Sequence, residues 1–242
     1  MMDKARRKLI FALDVETLSE AKHWVTRLRG RVGLFKVGKQ LFTRCGPEAV
    51  GMIRDQGGDV FLDLKYHDIP NTVAKAAVEA SRLGVKMFNL HALGGKEMMS
   101  ATAAALSEHW EGRGKPLLLA VTILTSMSAE ALREVGIPSS PEEMVPRLAQ
   151  LAKQAGLDGV VASPREIALI RGVCGPDFVI VTPGVRPLNA AADDQKRIAT
   201  PAQAVRAGAD YLVVGRPIAT AADPEGAALS IVEEIAAVME AF

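Results

Sequence analysis

Eight short apolar runs, each followed by a longer stretch with helical spacing, constrain what this chain can fold into more than anything else in it. The runs are LIFALDV (9–15), LFKVG (34–38), VFLDLK (60–65), MFNLHA (87–92), LLLAVTIL (117–124), GVVAS (159–163), FVIVTP (178–183) and YLVVGR (211–216). Near-continuous apolarity is what strands of a parallel sheet show when both faces are covered. Between the runs lie stretches such as TLSEAKHWVTRLRG, PEAVGMIRDQGG, TVAKAAVEASRLG and PEEMVPRLAQLAKQAG. Their apolar residues recur at three and four, and several end on glycine, as helices do. Strict alternation predicts a parallel sheet. Eight units over 242 residues match the closed (β/α)8 TIM barrel in count and length, with residues 1–242 as a single domain. An open doubly wound sheet would place a glycine-rich fingerprint after its first strand. Here that strand runs into DVETLSE, so the barrel is expected.

Composition supports a large core: 49% of residues are hydrophobic and 24% charged, which argues against disorder. A formal net charge of +1 supplies no global field for nucleic acid or membrane, so any anion site has to be built locally. Cys45 and Cys174 stand far apart without a partnered spacing, which fits a reducing compartment and a cytoplasmic protein. The opening MMDKARRKLIFALDV reads as a short arm leading into the first strand rather than a signal peptide, because its apolar part is short and holds Asp14. No run approaches the ~20 apolar residues of a membrane span. Two connections are long and polar: TSMSAEALREVGIPSSPEE after the fifth strand and GVRPLNAAADDQKRIATP after the seventh. Both leave strand C-terminal ends, the barrel face where active sites lie, and both are lid candidates.

Polar residues gather at those same ends. Asp14 closes the first strand, Lys36 lies in the second, Asp63 and Lys65 close the third, and His91 closes the fourth. Thr125 and Ser126 follow the fifth, Arg186 follows the seventh, and Arg216 closes the eighth. Residues two apart on a strand face the same side, so Asp63 and Lys65 are expected to project together. With Lys36 on the neighbouring strand and Asp68 in the next loop, Lys-Asp-Lys-Asp would alternate in space. Flanking carboxylates keep such lysines protonated against the effect of burial, and a protonated lysine is a proton donor. As mere scaffolding the set would be costly, because each buried charge loses several kcal/mol of hydration.

TPGVRP and VVGRPI each place an arginine just past a strand, the seventh and the eighth. Barrels often bind a substrate phosphate on those two loops. Gly184 and Gly215 allow close backbone approach, arginine offers a forked donor set, and Gln195 on the polar loop is a further candidate donor. Other residues carry plainer readings. His67 is a packing or hydrogen-bonded residue, His91 a pocket-floor residue, and His23 and His109 face solvent. Met87, Met98 and Met99 fill core, Gly94-Gly95-Lys96 starts a helix, and no cluster has metal-ligand spacing.

Four stretches together, FALDV with Asp14, FKVG with Lys36, DLKYHDIPNT, and the tail TPGVRP…DDQKRIATP…YLVVGRPI, resemble the orotidine 5'-phosphate decarboxylase family over nearly the whole chain. The resemblance implies removal of carbon dioxide from C6 of orotidine 5'-phosphate, without metal or organic cofactor, to give uridine 5'-phosphate in the last step of pyrimidine synthesis. Lys65 would protonate C6, Asp63 would lie against the substrate carboxylate, and Lys36 would hold the network and contact the ribose. The family shares sites across a homodimer, so Asp68 and Thr72 would reach the neighbouring subunit's substrate, and Ile69 is a further substrate-binding position. Asp14 would bind a ribose hydroxyl, and Thr125 with Ser126 the pyrimidine edge. Pro183, Arg186, Gln195, Gly215 and Arg216 match phosphate and base-closure positions. Two rivals stand beside this. Related magnesium-dependent sugar-phosphate decarboxylases and synthases share Asp-x-Lys-x-x-Asp but carry an acid where Lys36 stands. A non-catalytic nucleotide-phosphate binding protein would need the arginines alone.

Overall fold

Each apolar run seats one strand of a computed structural model that describes residues 1–110, 114–186 and 199–241. The strands are β1 (Leu9–Ala12), β2 (Leu34–Gly38), β3 (Asp59–Tyr66), β4 (Met87–His91), β5 (Leu117–Val121), β6 (Gly159–Val161), β7 (Val179–Pro183) and β8 (Tyr211–Val214). All pair in parallel in chain order, and β8 returns to β1 through Leu9↔Leu212 and Phe11↔Val214, closing the barrel. The fold is the (β/α)8 barrel that the alternation predicts. Several strands stop short of their apolar runs: Leu13 and Ile123 are buried but lie beyond the last sheet residues of β1 and β5. There the chain turns off the sheet into the C-terminal loops. β3 does the reverse and extends to both sides of its run.

The period-two pleat divides the apolar residues into two sets. Ile10, Leu34, Phe61, Met87, Leu119, Val181 and Val213 point inward and fill the barrel. Their neighbours Phe11, Phe35, Leu62, Phe88, Ala120, Ile180 and Leu212 point outward and pack under the helices. Burying one such large side chain contributes about 1.5–3 kcal/mol. The centre of the barrel is therefore solid, and only its upper layer is free for chemistry.

The helices start where local chemistry directs. Leu18–Leu28 opens on a Thr17–Glu20 capping box, Pro141–Gln154 on a Ser140–Glu143 capping box with proline in its first turn, and Pro70–Arg82 on proline. The Gly94-Gly95-Lys96 run leads into the helix Gly95–His109 as expected. The N-terminal segment corrects the arm reading: Met2–Lys8 is a helix, with Asp3 ion-paired to Arg6 and Arg7 and Ala5 fully buried. Its acid sits in the first turn and three of its four bases in the last, complementing the helix dipole. The long connection after β5 also holds a short helix, Ala129–Glu134. Among the described residues no helix is long and apolar enough to cross a membrane.

Candidate active site

The pleat that turns Leu34, Phe61 and Met87 inward places Lys36, Asp63 and Asn89 two residues further on, one layer nearer the C-terminal mouth. Asp63 is the centre of this layer. Its Oδ1 accepts from Lys65 Nζ at 2.6 Å and from Asn89 Nδ2 at 2.7 Å, and its Oδ2 lies 3.6 Å from Lys36 Nζ. Lys36 Nζ also donates to Asp14 Oδ1 at 3.1 Å. Burial alone would raise the Asp63 pKa, but the charges of Lys36 and Lys65, with hydrogen bonds from Lys65 and Asn89, outweigh it and hold the carboxyl below its usual range. The side chains of Lys36 and Asp63 are nearly enclosed, at 12% and 13% exposure, against 67% for Asp14.

Asp63 and Lys65 meet as expected, but not by simple alternation. The β3–β4 register shifts between Leu62 and Tyr66. Within that irregularity Lys65 has φ +54°, the one non-glycine residue with positive φ among those described. Its backbone N–H donates to Asn89 Oδ1 at 2.8 Å. Asn89 is completely buried and was not among the residues singled out from sequence, because one polar residue in an apolar strand carries no motif. The usable signal was positional: on three consecutive strands, an inward apolar residue is followed two residues later by a polar one.

The expected order Lys36–Asp63–Lys65–Asp68 needs correction within one chain. The alternating series is Asp14, Lys36, Asp63, Lys65. Asp68 is exposed, and its Oδ1 accepts from the backbone N–H of Ile69 as the chain turns into the helix Pro70–Arg82. Ile69 and Thr72 are also exposed, and none of the three lines the cavity described next. His91 is corrected too. It does not line that cavity; its ring packs against His67 with centroids 5.5 Å apart. Burial first, then the charges of His67, Lys39 and Lys65, lower its pKa to about 4, against the opposing pull of Asp63. His23 and His109 are exposed, as read from sequence.

Above the inner layer lies a cavity of about 260 Å³. Asp14, Lys36, Asp63 and Lys65 line it together with Arg186 and Arg216, so four cations face two carboxylates. Thr125, Pro183, Gly184 and Gly215 complete walls supplied by the loops after β5, β7 and β8. Arg186 is buried at 6% exposure, and its backbone N–H donates to Ala199 O at 3.0 Å. A Cβ on Gly215 would stand 3.3 Å from Ala12 Cβ, closer than most such contacts. Ser126 is exposed and not part of the lining, and Gln195 lies outside the described residues. The cavity can hold a ligand that carries two anionic groups, one beside the arginines and one beside Lys36 and Lys65.

Residues 7–231 match the family model described as orotidine 5'-phosphate decarboxylase / HUMPS family. The chain is 67% identical over 242 residues to an orotidine 5'-phosphate decarboxylase of Syntrophotalea carbinolica, covering 99% of both chains. It is 65% identical over 235 residues to one of Geobacter sulfurreducens, covering 97% of this chain and 98% of the other. Among solved structures, the orotidine 5'-phosphate decarboxylase of Lactobacillus acidophilus superposes with a TM-score of 0.85 at 38% identity, over 95% of this chain and 99% of that one.

Proposed function

This chain belongs to the orotidine 5'-phosphate decarboxylase / HUMPS family, and from that premise we propose that it converts orotidine 5'-phosphate to uridine 5'-phosphate and carbon dioxide in pyrimidine biosynthesis. The observation that carries the reading is that one cavity holds both the Lys36–Asp63–Lys65 ladder and the two arginines. The bond from C6 to the carboxylate breaks, its electron pair stays on C6, and Lys65 Nζ delivers a proton there. Carbon dioxide leaves, and Lys65 regains a proton from solvent. A carbanion at that ring carbon has no ordinary electron sink, so stabilisation falls to a fixed ammonium in a site closed to water. Asp63 positions Lys65 and lies beside the substrate carboxylate. Lys36 bridges Asp63 to Asp14, and Asp14 takes a ribose hydroxyl.

Arg186, Arg216 and the backbone at Gly215 hold the phosphate, with Gln195 closing over it and Pro183, Thr125 and Ser126 along the pyrimidine. Phosphate binding energy then supports closure and so raises turnover as well as affinity. Asp68, Ile69 and Thr72 serve the site of a second copy of the chain. Ile69, at 66% exposure, is the most exposed large apolar side chain among the described residues and adjoins Asp68, which supports a homodimer. Residues 1–242 act as one catalytic domain, in the cytoplasm, where Cys45 and Cys174 remain free thiols.

The test is the loss of orotidine 5'-phosphate absorbance with purified protein, with and without EDTA. Turnover that persists in chelator supports the reading. Turnover abolished by EDTA and restored by magnesium would move the chain to the metal-dependent relatives, although Lys36 occupies the space between Asp14 and Asp63. Nucleotide binding without turnover would leave only the non-catalytic reading.

A further inference from the structure

Asn89 is completely buried on β4, and its amide makes two hydrogen bonds, one as acceptor and one as donor. Its oxygen accepts the backbone N–H of Lys65, and its NH₂ donates to the Asp63 carboxylate. The partners determine the amide's orientation, since an N–H requires an acceptor and a carboxylate a donor. With the Lys65 Nζ contact to the same Asp63 oxygen, the bonds close a ring. It runs from the Lys65 main chain through Asn89 and Asp63 to the Lys65 ammonium.

The ring stands where the sheet is interrupted. Regular pairing of β3 with β4 holds at Phe61↔Met87 and Leu62↔Phe88 and resumes only at Tyr66↔Leu90. In an unbroken ladder the Lys65 N–H would seek a main-chain carbonyl on the neighbouring strand. Here a side chain takes that place, and Lys65 is free to adopt φ +54°. A lysine in that backbone region persists only where its surroundings over-determine it. We infer that Asn89 is a positioning residue that holds Lys65 in its left-handed conformation and keeps its ammonium against Asp63, aimed into the cavity.

Residue chemistry narrows the alternatives. Leucine of similar size would leave both the Lys65 N–H and one Asp63 contact without a partner. Ionised aspartate would keep the acceptor, lose the donor and set a like charge beside Asp63. Asn89 does not line the cavity, so it acts through Lys65 and Asp63 rather than on a ligand.

This inference rests on Lys65 being the proton donor proposed above, and the experiment separates the two. In Asn89→Leu, kcat for orotidine 5'-phosphate should fall about 10- to 100-fold, the size typical for loss of a group that orients a functional side chain. KM should hold, because Asp14, Arg186 and Arg216 are untouched. Hydrogen exchange at the Lys65 amide supplies a readout independent of turnover: the bond to Asn89 should protect it in the wild type, and exchange should become fast in the variant. A crystal structure of the variant should place Lys65 at negative φ. Asn89→Ala leaves room for a water, serves if the leucine variant does not fold, and should change both readouts in the same direction. A protected Lys65 amide with φ still near +54° in either variant overturns the inference, as does unchanged kcat. If the wild type has no turnover, the decarboxylase reading fails and the exchange measurement alone decides the role of Asn89.

Discussion

Replacing Lys65 by alanine and, separately, by glycine isolates the strain in its backbone. Both variants lose the ammonium and its 2.6 Å contact with Asp63, so that loss cancels in the comparison. At an ordinary strand position glycine is the less stable by about 0.5–1 kcal/mol, because it forfeits more backbone entropy on folding. At φ +54° the alanine Cβ crowds its own carbonyl, a cost of about 1–2 kcal/mol that glycine does not carry. The two terms oppose, and strain wins. On the mid-values Lys65→Gly should be the more stable by roughly 0.75 kcal/mol, or about 1.5–3 °C in Tm for a chain of this length. Urea unfolding of the pair, read at the midpoint with equal slopes, measures the difference. An alanine variant more stable than the glycine variant would show that Lys65 is not left-handed in solution, and the account of how β3 presents it would fail.

The other predictions concern charge, pH and the second subunit. Arg186→Ala and Arg216→Ala should each lower kcat/KM by roughly 10- to 150-fold, the worth of a hydrogen bond to a charged group. Lysine should restore only part, lacking the fork; an unchanged kcat/KM in both would remove the phosphate assignment. Acid should destabilise the fold in two stages. His91 has its pKa lowered from 6.5 to about 4, so the unfolded chain binds the extra proton between those values and stability drops as pH falls through that window. With its partial exposure discounted, the loss is about 1–2 kcal/mol. Asp63, whose pKa is lowered, contributes stability above its ordinary value that is lost at still lower pH. The difference in urea midpoint between about pH 7 and about pH 5 should shrink in His91→Gln; an undiminished difference would assign the acid sensitivity elsewhere. Mixed Lys65→Ala and Asp68→Ala chains should regain about one quarter of wild-type activity, since half the dimers are hybrids with one intact site each. No recovery despite demonstrated subunit exchange would reject the shared site.

The barrel was legible because a doubly covered parallel strand leaves an unbroken apolar run, and eight of them alternate with helical spacing. Strand ends were less so, since Leu13 and Ile123 are as apolar as sheet residues yet sit past the last pairing. Lys36, Asp63, Lys65 and Asp14 could be named from their strand-end positions, and they do converge. How Lys65 reaches Asp63 could not be read locally, because it depends on a register irregularity against β4. Asn89 was hidden for a related reason: its partners lie on another strand, and only layer-by-layer comparison of Leu34/Lys36, Phe61/Asp63 and Met87/Asn89 brings it forward. Asp68 was placed in the charged ladder by proximity in sequence, whereas the turn into the helix Pro70–Arg82 carries it outside the cavity. Helix Met2–Lys8 was missed because seven residues, three of them basic in the last turn, carry too little apolar periodicity.

The central claim is that Lys65 delivers the proton to C6, and its most direct test is turnover of orotidine 5'-phosphate by Lys65→Ala set against the wild type. Circular dichroism and urea unfolding should show the variant folded, since Lys65 lies at the cavity and not in the core. Its turnover should fall by about 100-fold or more, the least that removal of a general acid predicts. A folded Lys65→Ala protein with near-wild-type turnover would contradict the account.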